Sequence, residues 1–181
     1  MREGYDRVTT ILSPFSGYGH IDRGVLERAA DRGTKVHNMI LALQHDLETF
    51  NDDDSLQGYI ESYSSWVEGK KKFQFPERFY DDELMMTGEC DCIYKDGDDL
   101  VLVDFKTSAS INKMWPYQGS AYSYMAKKEG YAITKIEFVK LEKTGKPAKS
   151  FFYKEDMEDF RLLHSVYKRF FANSKEDMGD I

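Results

Sequence analysis

The chain has 181 residues, 41 % of them hydrophobic and 14 % aromatic, enough for one well-cored domain and short for two. No apolar run approaches the roughly 20 residues that span a bilayer, and the opening MREGYDRVTT lacks the apolar stretch of a secretory signal, so a soluble, cytoplasmic protein with no membrane partner is expected. The net charge of −7 argues against a general nucleic-acid coat, which needs Lys and Arg to displace counterions.

Residues 24 to 46, GVLERAADRGTKVHNMILALQHD, read as a helix with Val36, Ile40 and Leu43 as its apolar stripe and Gly33 as a break or close contact. A second helix is expected over residues 55 to 69. KFQFPERFY then reads as an extended strand in which Pro76 implies an edge or bulge. The segment GECDCIYKDGDDLVLVDFKTS, residues 88 to 108, has the pattern of a β-hairpin. A helix within residues 114 to 128 follows, then two strands around the Thr-Gly-Lys-Pro turn of ITKIEFVKLEKTGKPAKSFFY. A last helix from about Glu155 to Phe171 precedes a polar tail, residues 172 to 181, expected to fray. Strands gathered mid-chain between helices predict an α/β (α+β mixed) fold, a central mixed sheet flanked by helices in a single domain over residues 1 to 181.

Charge is unevenly distributed. Asp81 to Asp99 carries eight carboxylates and one lysine, whereas residues 126 to 154 carry eight lysines and three glutamates. Such runs form solvated faces unless a divalent cation sits among the carboxylates. The only cysteines, Cys90 and Cys92, are two apart on a predicted strand and so share a face; with no second pair to complete a metal site they read as reduced thiols.

The hairpin poses the sharpest question, because it sets two aspartates and a lysine among core residues. Strand alternation puts Leu100, Leu102, Asp104 and Lys106 on one face and Val101, Val103 and Phe105 on the other. A four-residue turn at Asp96 to Asp99 pairs Lys95 with Leu100, sets Asp91 opposite Asp104 with Cβ atoms roughly 5 Å apart, and faces Glu89 toward Lys106. Like charges so placed repel unless a proton or cation lies between them. A hard divalent cation with a lysine alongside can polarise a phosphodiester and place positive charge beside an attacking water. The alternative is an exposed face on which Glu89 and Lys106 form an ordinary salt bridge. A calcium loop of the EF-hand type is excluded by the glycine position in DGDD.

The succession RGTKVH, GECD, twelve residues, DFK and YQGSAY resembles the PD-(D/E)XK nuclease superfamily in its RecB-like exonuclease branch, over about Arg32 to Tyr122. The resemblance implies a restriction-endonuclease-like core and a metal-dependent deoxyribonuclease, an exonuclease acting on DNA ends or single strands. It implies Asp91, Asp104, His37 and the carbonyl of Phe105 as ligands for one or two Mg2+ or Mn2+ ions and Lys106 as the catalytic lysine. Gln118 and Tyr122, four apart on one helix face, would touch substrate or brace that lysine. Two cysteines cannot supply the four of the iron–sulfur members, so no cluster is expected, and Cys90 stands where the motif's proline would be.

Less specific candidates accompany these. Glu77 is a candidate outer carboxylate; His20, His45 and His164 have no ligand spacing. The lysines between 127 and 154 would guide a DNA backbone, and Trp115 and Tyr117 would stack on unpaired bases or else cap the core. A non-catalytic binding module on the same fold and a structure-specific endonuclease are the rival readings. No G-x-x-x-x-G-K loop is present, which leaves the chain to act alone or with a helicase or recombination partner. Recombination, repair or genome processing, including in phages, is the biology the resemblance implies.

Overall fold

A computed structural model describes residues 2–45, 47 and 53–172. The chain opens with β1 (Asp6–Arg7) and α1 (Val8–Leu12), then runs through two short 3-10 turns into the long helix α2 (Arg23–Gln44) and α3 (Gln57–Val67). Four strands follow, β2 (Phe79–Asp81), β3 (Met86–Gly88), β4 (Cys92–Asp96) and β5 (Asp99–Lys106). The rest is α4 (Trp115–Lys128), β6 (Lys135–Lys140), β7 (Lys149–Tyr153) and α5 (Met157–Phe170).

The central sheet has four strands in the order β4-β5-β6-β7. Its outer pairs are antiparallel and β5 and β6 run parallel. A parallel pair needs a crossover, and α4 supplies it. β5 is buried on both faces over most of its length, so its alternation sorts residues between two cores rather than between core and water. Leu102 packs with α1, α4 and α5 through Ile11, Trp115, Met125 and Phe160. On the other side Val101, Val103 and Phe105 pack with α2 and α3 through Val36, Ile40, Tyr63 and Trp66. This is the expected α/β architecture, a mixed sheet between helices. A smaller sheet of order β1-β3-β2 lies beside it.

Several expectations need correction. KFQFPERFY is not one strand: Gln74 makes an isolated two-way bridge to Ile93 of the central sheet, and only Phe79 onward joins the small sheet. Pro76, which has no N–H to donate, sits where the segment leaves one sheet for the other. Helix α2 passes Gly33 unbroken, and a Cβ there would rest 3.7 Å from Thr107 Oγ1, an ordinary contact. Cys90 and Cys92 do not share a face; both are free and buried, one in each core. β1 and α1 were not anticipated, although Val8, Ile11 and Leu12 have helical spacing and are all buried. The fraying expected for residues 172 to 181 falls, from residue 173 onward, outside the described residues. No helix among the described residues is long and apolar enough to cross a membrane.

Helix α4 approaches the sheet closely because it presents small residues to it. A Cβ on Gly119 would lie 2.5 Å from Ile136 Cγ2 and 2.9 Å from a ring carbon of Phe138. The neighbouring Gln118 is thereby held against β5. Gly119→Ala is expected to lower stability by about 1–3 kcal/mol through overpacking, read as a lower urea midpoint at unchanged m-value.

Candidate active site

The site is built where β4 and β5 part. Their register is the expected one, with Lys95 opposite Leu100 and Cys92 opposite Val103, but regular pairing stops at Cys92. The chain bends at Asp91, whose N–H donates to Val103 O (3.0 Å) while its carboxylate Oδ2 accepts the N–H of Phe105 (2.6 Å). A side chain thus takes the place of the next backbone carbonyl. β5 runs on past its partner, carrying Asp104 and Lys106 with it, and the bend accounts for the two cysteines entering different cores.

Helix α2 brings His37 to this end. Its Nδ1 lies 2.7 Å from Asp91 Oδ1 and its Nε2 2.9 Å from Phe105 O. Both partners are acceptors, so both ring nitrogens must carry protons to satisfy them. Burial pulls the imidazole pKa down, but the charge and hydrogen bond of Asp91 outweigh it and push it up to about 9. Asp104 is buried, and burial raises its pKa against the lowering charge of Lys106. Lys106 Nζ is 2.6 Å from Asp104 Oδ2 and sits over the Phe138 ring. Gln118 Nε2 donates to Tyr122 OH (2.9 Å) and lies 3.4 Å from Asp104 Oδ1. Tyr122 is buried, and desolvation drives its phenol pKa well up, so it stays protonated. Gly88 gives it room: a Cβ there would stand 2.3 Å from the Tyr122 ring.

His37, Asp91, Asp104, Lys106, Gln118 and Tyr122 line one open cleft of about 570 Å³. Among the described residues no three His, Cys, Asp or Glu side chains close into a preformed metal cage. The oxygen donors present are two carboxylates and the Phe105 carbonyl, a set that suits magnesium or manganese, and His37 would join them only on releasing one of its two ring protons. Asp104 Oδ2 is buried without a well-formed hydrogen bond, only the ammonium of Lys106 close by, which is the kind of oxygen a cation would satisfy. The residues therefore fit such an ion.

Other candidates fall elsewhere. Glu77 is exposed and does not line the cleft. Glu89 pairs with Arg78 and not with Lys106, because the bend turns it away from the β5 register. Trp115 is buried and stacked on Phe138, so it is core; Tyr117 is half-buried with its hydroxyl 3.5 Å from Asp159. Lys127, Lys128, Lys135, Lys140 and Lys149 are each paired with a carboxylate and form no open cationic track. His45 rests on Phe75 and His164 is stacked on Phe160. Burial pushes both cysteine thiols well up, away from the thiolate a metal prefers.

The sequence reading missed Arg7, Thr9, Thr34, Asn38 and Arg78, which share the cleft wall. Thr34, Asn38 and Leu41 stand at helical spacing around His37, and that periodicity was available. Nothing in the sequence signals Arg7 or Thr9.

No family model and no curated protein matches the chain. Among solved structures it is similar to one titled "Crystal structure of SSO0001", with a TM-score of 0.51 and 12 % identity over 96 % of this chain and 79 % of that one. It is also similar to an alkaline exonuclease from Laribacter hongkongensis (TM-score 0.43, 11 % identity, 96 % of this chain and 89 % of that). A phage-related exonuclease from Haemophilus somnus 129PT gives a TM-score of 0.40 and 16 % identity over 96 % of both chains. The first similarity is one of fold alone.

The raised His37 pKa has a sign that can be tested. The protonated form is favoured by folding, so its contribution is fully present below pH 6.5 and is lost as pH rises toward about 9. In EDTA the thermal midpoint should fall across that window, and His37→Gln should remove that fall.

Proposed function

We propose that the protein is a metal-dependent deoxyribonuclease, an exonuclease that hydrolyses phosphodiester bonds at DNA ends or in single strands. One observation carries this reading. His37 from α2, Asp91 just before β4, and Asp104 and Lys106 from β5 line one cleft, with the Phe105 carbonyl 2.9 Å from His37 Nε2. The motif resemblance over Arg32 to Tyr122 supports the same reading.

In it, Asp91, Asp104 and Phe105 O would hold magnesium or manganese, with His37 joining them on losing one ring proton. A bound divalent cation supplies charge stabilisation at the phosphoryl group and a lower pKa for water. Lys106, fixed between Asp104 and the Phe138 ring, keeps a positive charge beside the scissile phosphate and orients the attacking water. Gln118 is a positioning residue: anchored on Tyr122, it holds Asp104 in one rotamer. Arg7 and Arg78 on the cleft wall meet the negative strand, with Arg78 restrained by Glu89. DNA is the substrate and no iron–sulfur cluster takes part.

End-labelled single-stranded and duplex DNA, incubated with magnesium or manganese and with EDTA, tests this directly. Metal-dependent shortening is expected, with Asp104→Asn and Lys106→Ala each slowing it by about 10²-fold or more. Unimpaired cleavage by the folded Asp104→Asn protein would sink the proposal. Gln118→Ala should cut kcat with little change in KM, as a residue acting through Asp104 would.

A further inference from the structure

Two recesses share Lys106 in their lining, and they differ in chemistry. The larger holds Arg7, Arg78, Glu89 and the aspartate pair. The smaller, about 310 Å³, shares Thr9, Lys106 and Gln118 with it but has no other charged residue in its lining. Leu12, Met114 and Trp115 give it apolar walls, with Tyr18, Ser108 and Asn112 beside them.

The polar groups there are neutral and partly unused. Asn112 is 8 % exposed; its Oδ1 accepts the N–H of Met114 at 2.8 Å, and its amide nitrogen has no protein partner among the described residues. Tyr18 is half-buried, with neither a hydroxyl partner nor a ring partner among the described residues. The first amides of α4 are not open to an anion, since Asn112 accepts from both Met114 N and Trp115 N and Pro116 has no N–H. A phosphate would find one cation here, already facing Asp104. A flat group with apolar faces and a polar edge finds matching surfaces on every side.

We infer that this recess receives one unpaired nucleobase, that of the nucleotide flanking the scissile phosphate. The inference rests on the nuclease reading and deepens it. Because Lys106 and Gln118 line both recesses, a strand with its phosphate beside Lys106 has the smaller recess within reach of an adjoining base. A volume near the lower end of ligand pockets admits one nucleoside, so a base still paired to its partner is excluded. The base stacks on the Tyr18 ring and meets the Asn112 amide with an acceptor edge. The substrate is therefore a strand whose flanking base is free, at a single-stranded or opened end.

The test uses the full chain and single-stranded oligonucleotides carrying one abasic residue stepped along the sequence. With magnesium or manganese, loss of the base at one fixed position relative to the cut should lower kcat/KM about tenfold. Tyr18→Ala should remove most of that position's penalty and Tyr18→Phe should retain it. In EDTA, 2-aminopurine placed at that position should change fluorescence on binding to wild type and not to Tyr18→Ala. Metal-dependent cleavage with no position-specific penalty, or a penalty unchanged in Tyr18→Ala, would overturn the base pocket and leave the nuclease reading standing. Absence of metal-dependent cleavage of any DNA by wild type would overturn both.

Discussion

The hydrogen bond from Phe105 N–H to the Asp91 carboxylate decides the shape of the site, because it lets a strand end without leaving its neighbour's backbone unsatisfied. A buried amide without a partner is costly, so β5 cannot outrun β4 unless something replaces the lost carbonyl. Asp91 replaces it. β4 is then free to bend, β5 can present Asp104 and Lys106 beyond the hairpin, and the Phe105 carbonyl is left to face His37. The same carboxylate holds His37 through its other oxygen. One side chain therefore closes the sheet and assembles the cleft.

A comparison within the molecule shows why Asp104 and not another buried acid is read as functional. Glu137 is equally deep, but Trp66 Nε1 and Tyr94 OH donate to it at 2.9 Å and Ser150 adds a third bond. Its lone pairs are occupied by donors from three elements, and it serves to lock α3 to the sheet. Asp104 has a distant amide on one oxygen and a lysine ammonium against the other, which makes no well-formed hydrogen bond. A carboxylate left in that condition beside a second one is expensive to keep ionised. It lines the cleft, and the nuclease reading assigns it to a cation.

The sequence disclosed the parts of this arrangement that depend on local periodicity. The hairpin register, the two faces of β5, the crossover helix and the order of elements follow from alternation and turn chemistry, and they place Asp104, Lys106, Gln118 and Tyr122. What periodicity could not disclose was the bend at Asp91, which comes from a side chain competing with the backbone. That single departure moved Cys90 and Glu89 off the faces that alternation gives them, while Cys92, opposite Val103, joins the core its register implies. The N-terminal segment was missed for a different reason. Its helix is five residues long and is held by packing rather than by propensity.

Net charge says less about the cleft than local arrangement does. An acidic chain seemed ill-suited to a polyanion, and the lysine-rich later part seemed to compensate. Lys127, Lys128, Lys135 and Lys149 pair with nearby carboxylates at the surface, where such pairs contribute little. The excess acid lies in part on the same surfaces. Within the cleft, Lys106, Arg7 and Arg78 stand with Glu89, which pairs with Arg78, and with two aspartates that a cation can neutralise. Screening confines exposed charges to about 8–10 Å at physiological salt. Local arrangement therefore outweighs the sum over the chain, and an acidic protein can present a site suited to a nucleic-acid strand.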